Sequence, residues 1–186
     1  MLAIARQIGD SESAHNGRAE LQSVISVVRG GMGVEIRPIQ VDDEERMVKF
    51  HQGLSERTVY MRYFESLSLA ARTAHPRLSR ICFADPEHET VLVAVSGDGI
   101  VGVGRLSRLE NSSRAELAAL VLDKFQGRGI GTALVRQLLQ AARQQNLTEI
   151  GAEMLRDNIA MQRVLKKADF SLRLGDPRTV RAIRKL

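Results

Sequence analysis

The chain has 186 residues, 44% of them hydrophobic, one cysteine, no tryptophan and a formal net charge of +5 at neutral pH. That is one domain's length, enough to bury roughly 70% of the unfolded surface without staples, and a lone Cys82 excludes an internal disulfide. No apolar run of about 20 residues offers a membrane span, and Arg6 interrupts Leu2-Ala3-Ile4-Ala5 before a signal-peptide core forms, so a cytoplasmic, membrane-free protein is expected.

Residues 1–33 read as an N-terminal appendage to a domain over 34–186. Gly9 to Ala19 is polar, and Glu20 to Arg29 sets Leu21, Val24, Ile25 and Val28 at helical spacing before Gly30, Gly31 and Gly33 punctuate the end. The segment is either a loosely attached helix or a flexible start, with a flexible glycine linker, or a helix whose apolar stripe docks on the domain or on a second subunit in a homodimer.

Val34 to Ile39 predicts the first strand of the domain. Asp42 and Asp43 open a helix through about Leu54, acidic residues standing at its positive end. Ser55-Glu56-Arg57-Thr58 opens a second helix through Phe64, whose Val59, Tyr60, Tyr63 and Phe64 either fill core or line a cleft. Pro76 to about Asp85 is a further helical piece, and Cys82, between Ile81 and Phe83, reads as an inert buried thiol.

Three strands follow: Thr90 to Ser96, Ile100 to Leu106 after the Gly97-Asp98-Gly99 hairpin signal, and Arg114 to Leu122 after Asn111-Ser112-Ser113. A helix from Gly129 to about Gln145, a strand from Thr148 to Met154, a helix from Asn158 to Ala168 and a strand from Thr179 to Arg184 complete the order. From Arg156 onward nine Lys or Arg face three Asp. With no Trp and two Tyr to stack on bases, this basic end reads as a solvated face that favours a polyanionic ligand, not nucleic acid. The four histidines show no metal-ligand spacing, so no metal is expected.

Leu120 to Thr132 is the stretch that carries chemistry. An apolar strand end gives way to a glycine-rich turn, and from Ile130 the spacing of Leu134, Leu138 and Ala141 is helical. The first turn of a helix presents unpaired N–H groups and the positive end of the macrodipole, which suits phosphate oxygens. Gly127, Gly129 and Gly131 remove the Cβ atoms that would hold a phosphate off the backbone. No Lys-Ser or Lys-Thr follows, as a P-loop requires, and the G-x-G-x-x-G dinucleotide spacing fails at Thr132 and Leu134.

What fits is Gln126-Gly127-Arg128-Gly129-Ile130-Gly131, a Gln-x-x-Gly-x-Gly run that resembles the acyl-CoA signature of the GNAT acyltransferase superfamily. The resemblance covers about Val34 to Leu186. It is closest to bacterial protein lysine acetyltransferases that modify acyl-CoA synthetases, through Ile36-Arg37-Pro38-Ile39, Leu54 to Phe64 and Ala115-Glu116-Leu117-Ala118. It implies an α/β GNAT-like fold: a mixed, mostly antiparallel central sheet flanked by helices, the glycine loop following the fourth strand.

The resemblance also assigns the site. Backbone N–H groups of Gly127 to Thr132 would cradle the pyrophosphate of acetyl-CoA. The preceding strand would carry a bulge and splay from its neighbour, so that Leu120, Val121 and Leu122 bond the pantetheine arm like an added strand. Glu116 matches the family's catalytic glutamate. Its carboxylate stands in an apolar strand, where charge is costly unless used or paired, and its other readings are an exposed edge residue or a partner of Arg114. Glu110, Asp123 and Glu153 are weaker choices. Asn158 matches an asparagine that contacts the CoA arm and is equally a natural helix cap. Two positions depart from the family: Leu165 stands where a tyrosine commonly protonates the leaving thiolate, and Asp169 replaces a common glycine.

Three functions follow as expectations. The first is acetyl transfer from acetyl-CoA to a lysine of a protein, such as an acyl-CoA synthetase, with Glu116 as base. The second is the same chemistry on a small amine. The third is a regulatory module that binds acyl-CoA without transfer.

Overall fold

A computed structural model describes residues 23–27, 31 and 33–186. Among them are eight strands, β1 (Val24–Val27), β2 (Gly33–Pro38), β3 (Glu89–Ser96), β4 (Gly99–Arg108), β5 (Arg114–Val121), β6 (Glu149–Leu155), β7 (Ser171–Leu174) and β8 (Thr179–Lys185). They form one sheet in the order β1-β2-β3-β4-β5-β6-β8-β7. All neighbours are antiparallel except β5 and β6. The helices are α1 (Glu44–Gln52), α2 (Glu56–Tyr63), α3 (Leu69–Thr73), α4 (His75–Cys82), α5 (Ile130–Gln144) and α6 (Ile159–Lys167).

The α/β, mostly antiparallel fold is as expected, with one strand more ahead of the glycine loop. The helix expected over Glu20 to Arg29 is corrected at Val24–Val27, which pairs with β2 as an edge strand. Three of its four residues are β-branched, and Val24 and Ile25 suit alternation as well as helical spacing. Ile25 faces solvent at 76% exposure, so this face is not the docked apolar stripe that a helix would present. Leu21 and Val28 lie outside the described residues. Two short elements were missed, α3 and β7. The latter pairs only with β8, and its Ser-Leu-Arg-Leu offers four residues of weak alternation.

The sheet separates two helical layers. Gly102 and Gly104 on β4 face α5 so closely that a Cβ would lie 3.1 Å from Leu134 Cδ1 and 2.9 Å from Leu138 Cδ1. Side chains of the alternate β4 residues, Val103 and Arg105, meet the α1 layer around Met47 and Phe50. Leu134, Leu138 and Ala141 are fully buried on the apolar stripe that the spacing announced. Cys82 is buried and its thiol is pushed up to about 11 by desolvation, consistent with an inert residue.

Asp43, fully buried at the N-terminus of α1, ties that helix to the sheet. Its carboxylate accepts two hydrogen bonds from Arg37 at 2.7 and 2.8 Å, one from the Gln40 N–H at 2.9 Å and one from Arg46 at 3.1 Å. Burial pushes the carboxyl up, but these bonds outweigh it and the pKa falls from 3.8 to about 2. A depressed folded-state pKa contributes stability above the unfolded value that is lost as pH falls through the folded one. Chemical denaturation from pH 6 down to 2 should therefore show a loss below about pH 4 that is smaller in Asp43→Asn. An identical pH slope in the variant would remove Asp43 from that role.

Candidate active site

Strand β5 runs in unbroken register with β4 from Ala115 opposite Arg108 to Val121 opposite Gly102. Against β6 it pairs over only Arg114, Glu116 and the residue between them. Strand β6 stays paired with β8 along its whole length, so β5 and β6 part beyond Glu116. The expected splay is there. The expected bulge is not in β5; the register shift lies between β3 and β4, at Ala94 and Val95.

The parting opens a cleft of about 930 Å³ between β5, β6, α2, α6 and the turn leading into α5. Glu116, Leu120, Val121, Gln126, Gly127, Arg128, Gly129, Ile130, Gly131, Thr132 and Asn158 all line it. Leu122 does not: it is buried, and its N–H donates to the Val101 carbonyl at 3.0 Å. Backbone groups alternate sides along an antiparallel strand, and Leu122 opposite Val101 fixes the phase. Leu120 therefore exchanges its bonds with β4, while Ala119 and Val121 turn theirs toward the cleft. Ala119 also lines the cleft and lies outside the expected stretch of Leu120 to Leu122.

At the top of β5 the chain passes a 3₁₀ turn over Asp123–Phe125 and enters the glycine turn. Gly127 has φ +73° and Gly129 φ +97°, and nothing lies within 4 Å of a Cβ placed on either. Both positions need glycine for the backbone and leave open space in front of it. Gly131 needs neither: a Cβ there would sit in ordinary contact, 3.8 Å from Val164 and 3.9 Å from Val121. Helix α5 starts at Ile130 with no acidic residue in its first turn, so its free N–H groups and dipole end face the cleft uncompensated. Arg128 stacks its guanidinium 5.4 Å from the Phe125 ring centre, on the same turn.

Gln126 has a second role. Its Nε2 donates to the Val121 carbonyl at 3.0 Å and to Thr58 Oγ1 at 3.2 Å. Asp123 completes the link, accepting from Ser55 N at 2.9 Å, Ser55 Oγ at 2.7 Å and Thr58 Oγ1 at 2.7 Å. The start of α2 is thus bonded to the turn that feeds α5, across 65 to 68 residues of sequence. Asp123→Ala should cost about 1–2 kcal/mol, since the lost bonds are exposed, and should weaken acyl-CoA binding as the turn loosens. Denaturation and calorimetry on the variant check this; unchanged affinity would make the link purely structural.

Of the four carboxylates weighed as base, three are accounted for elsewhere. Asp123 is committed to α2, Glu153 accepts from Thr179 at 2.9 Å and pairs with Arg181 at 3.5 Å, and Glu110 is outside the cleft. Glu116 lines the cleft and has no hydrogen bond or ion pair among the described residues; Arg114 turns instead to Ser112. Asn158 caps α6, its Oδ1 accepting from the Met161 N–H at 3.1 Å, and leaves its amide N–H₂ without an acceptor among the described residues. Leu165 is fully buried core. Asp169 sits at φ +58°, the conformation for which glycine is the easier residue. In α2, Val59 is core, Tyr63 and Phe64 line the cleft and Tyr60 is 40% exposed, so that cluster divides between its two readings.

A family model for the acetyltransferase (GNAT) domain matches residues 34–171. The chain belongs to the GNAT acetyltransferase family. It is 29% identical over 140 residues to acetyltransferase Pat of Mycolicibacterium smegmatis, covering 75% of this chain and 42% of that protein. With a Pseudomonas aeruginosa acetyltransferase it shares 27% over 121 residues, 64% of this chain and 65% of the relative. The chain thus spans less than two thirds of either relative. Among solved structures, the GNAT domain of S. lividans PAT superposes with a TM-score of 0.82 at 28% identity, covering 88% of this chain and 97% of that one. The PaiA N-acetyltransferase of Thermoplasma acidophilum, solved with coenzyme A, shares the GNAT fold at a TM-score of 0.69 and 16% identity, over 83% of this chain and 100% of that one. No helix among the described residues is long and apolar enough to cross a membrane.

Proposed function

We propose that this GNAT domain transfers an acetyl group from acetyl-CoA directly to a lysine amine of a protein, with Glu116 as general base. One observation carries the reading: the glycine turn, the open edge of β5 and an unpartnered Glu116 follow one another along the wall of a single cleft. The pyrophosphate fits against the N–H groups of Gly127 to Thr132, with Arg128 beside them. The pantetheine arm fits as an added strand against Ala119 and Val121, which brings the thioester toward Glu116. A cleft-facing N–H of β5 there stabilises the charge that gathers on the thioester oxygen. Glu116 takes the proton of the attacking amine directly or through a water. With Leu165 in the core, no side chain at that position protonates the leaving thiolate, and solvent supplies the proton.

Similarity to Pat acetyltransferases supports a protein acceptor. Residues 34–186 are read as the transferase domain, acting in the cytoplasm. Incubation with labelled acetyl-CoA and a cell lysate tests the whole reading. Label in protein bands is the expected result. Label confined to small molecules would replace the acceptor, and tight binding without transfer would make this a regulatory module.

A further inference from the structure

Arg62 is a cation of the cleft that no carboxylate contacts directly among the described residues, Glu116 acting on it through space. It stands in the last turn of α2 and lines both the cleft and a small side chamber of about 20 Å³ beneath Ala118, Ala119 and Leu120. Its guanidinium lies 5.0 Å from the Tyr63 ring centre, with Arg77 at the same distance. It has no hydrogen bond and no ion pair among the described residues. The other arginine of that chamber, Arg105, is paired with Glu89. Arg62 is half-buried and lines the cleft, so a ligand there meets its side chain. Burial pushes the Arg62 guanidinium down, with Arg105 and Arg77 adding to the effect, while Tyr63 and Glu116 oppose it.

We propose that Arg62 is a carboxylate-binding subsite at the inner end of the cleft, so that a favoured substrate carries a carboxylate close to the reacting carbonyl. The inference rests on the acyl-transfer reading and names the substrate's chemistry. The contact with the Tyr63 ring uses none of the guanidinium's hydrogen-bonding capacity toward oxygen acceptors, and a guanidinium matches a carboxylate two bonds at a time. Charge balance points the same way. Glu116 and Arg62 face the inner cleft as one negative and one positive group, and an incoming ammonium adds a second positive charge that a substrate carboxylate offsets. The carboxylate is carried either by the acyl group, as in a dicarboxylic acyl-CoA, or by the acceptor beside its lysine.

Two measurements on the full chain separate these sources. Calorimetry compares succinyl-CoA with butanoyl-CoA, of equal chain length but uncharged at its end, on the wild type and on Arg62→Gln. Transfer assays compare lysine peptides bearing Glu or Gln next to the lysine. In one arm the wild type should favour the carboxylate by about tenfold or more, the scale of a charge-assisted bond, and Arg62→Gln should lose the preference while Arg62→Lys keeps part of it. No carboxylate preference in either arm overturns the proposal on the wild type alone, whatever the variants do. A preference that survives Arg62→Gln overturns it too. Succinyl-CoA preference in the binding arm, with no transfer from any donor, would uphold the subsite and sink the transferase reading instead.

Discussion

Gly129→Asp is expected to abolish acyl-CoA binding. The Cβ would enter space that is empty of protein, so the side chain meets no clash within the fold. It would place a carboxylate at the mouth of α5, where the free N–H groups and the dipole would hold it in the position proposed for the pyrophosphate. Two effects are mixed in this variant, because φ +97° is unfavourable for any residue with a Cβ. Gly129→Ala separates them: it carries the same strain without the charge. Calorimetry with acetyl-CoA on folded protein should find partial loss for alanine and no measurable binding for aspartate. Equal affinity of aspartate variant and wild type would take the turn out of the site.

Glu116→Gln is the second variant with a large effect, and it divides an enzyme from a binding module. Glutamine keeps the shape of glutamate and most of its hydrogen-bonding capacity but cannot accept the amine proton. Glu116 is exposed and makes no hydrogen bond or ion pair among the described residues, so the fold should tolerate the change. Acyl-CoA affinity should stay nearly constant, since the donor's contacts are assigned to Ala119, Val121 and the glycine turn. The rate should fall by about 10²–10⁴-fold, the usual contribution of a positioned general base. Raising the pH should restore part of it, because more acceptor amine is then already deprotonated. A wild-type rate at neutral pH would exclude Glu116 as base. A loss of rate matched by an equal loss of acyl-CoA affinity would mean that Glu116 shapes the strand instead.

Much of this protein is legible along the chain because its signals are local. Gln126 to Gly131, with apolar strand before and helical spacing after, announces a candidate anion site, since the helix terminus that would make it comes from the same dozen residues. Glu116 stands out because a carboxylate in an apolar strand needs a reason. The helix at Asn158 and the hairpin at Gly97 and Asp98 follow from cap and turn chemistry; Gly97 takes the positive φ that such a turn requires.

What sequence cannot reach is set by partners distant along the chain. Val24–Val27 has spacing that suits a helix and composition that suits a strand, and only the bonding groups offered by β2 decide between them. The phase of β5 is fixed by Val101, which turns the backbone N–H and C=O groups of Ala119 and Val121 rather than those of Leu120 and Leu122 toward the cleft; a shift of one residue would reverse that set. The cleft itself exists because β6 follows β8 and leaves β5, a choice written in neither strand alone. Asp123 finds Ser55 and Thr58 only through folding, and Arg62, near the end of α2, is brought beside β5 with no carboxylate in direct contact among the described residues. Local sequence determined which groups this protein offers a ligand; long-range strand pairing and helix docking decided which of them face the cleft and which are left without a partner.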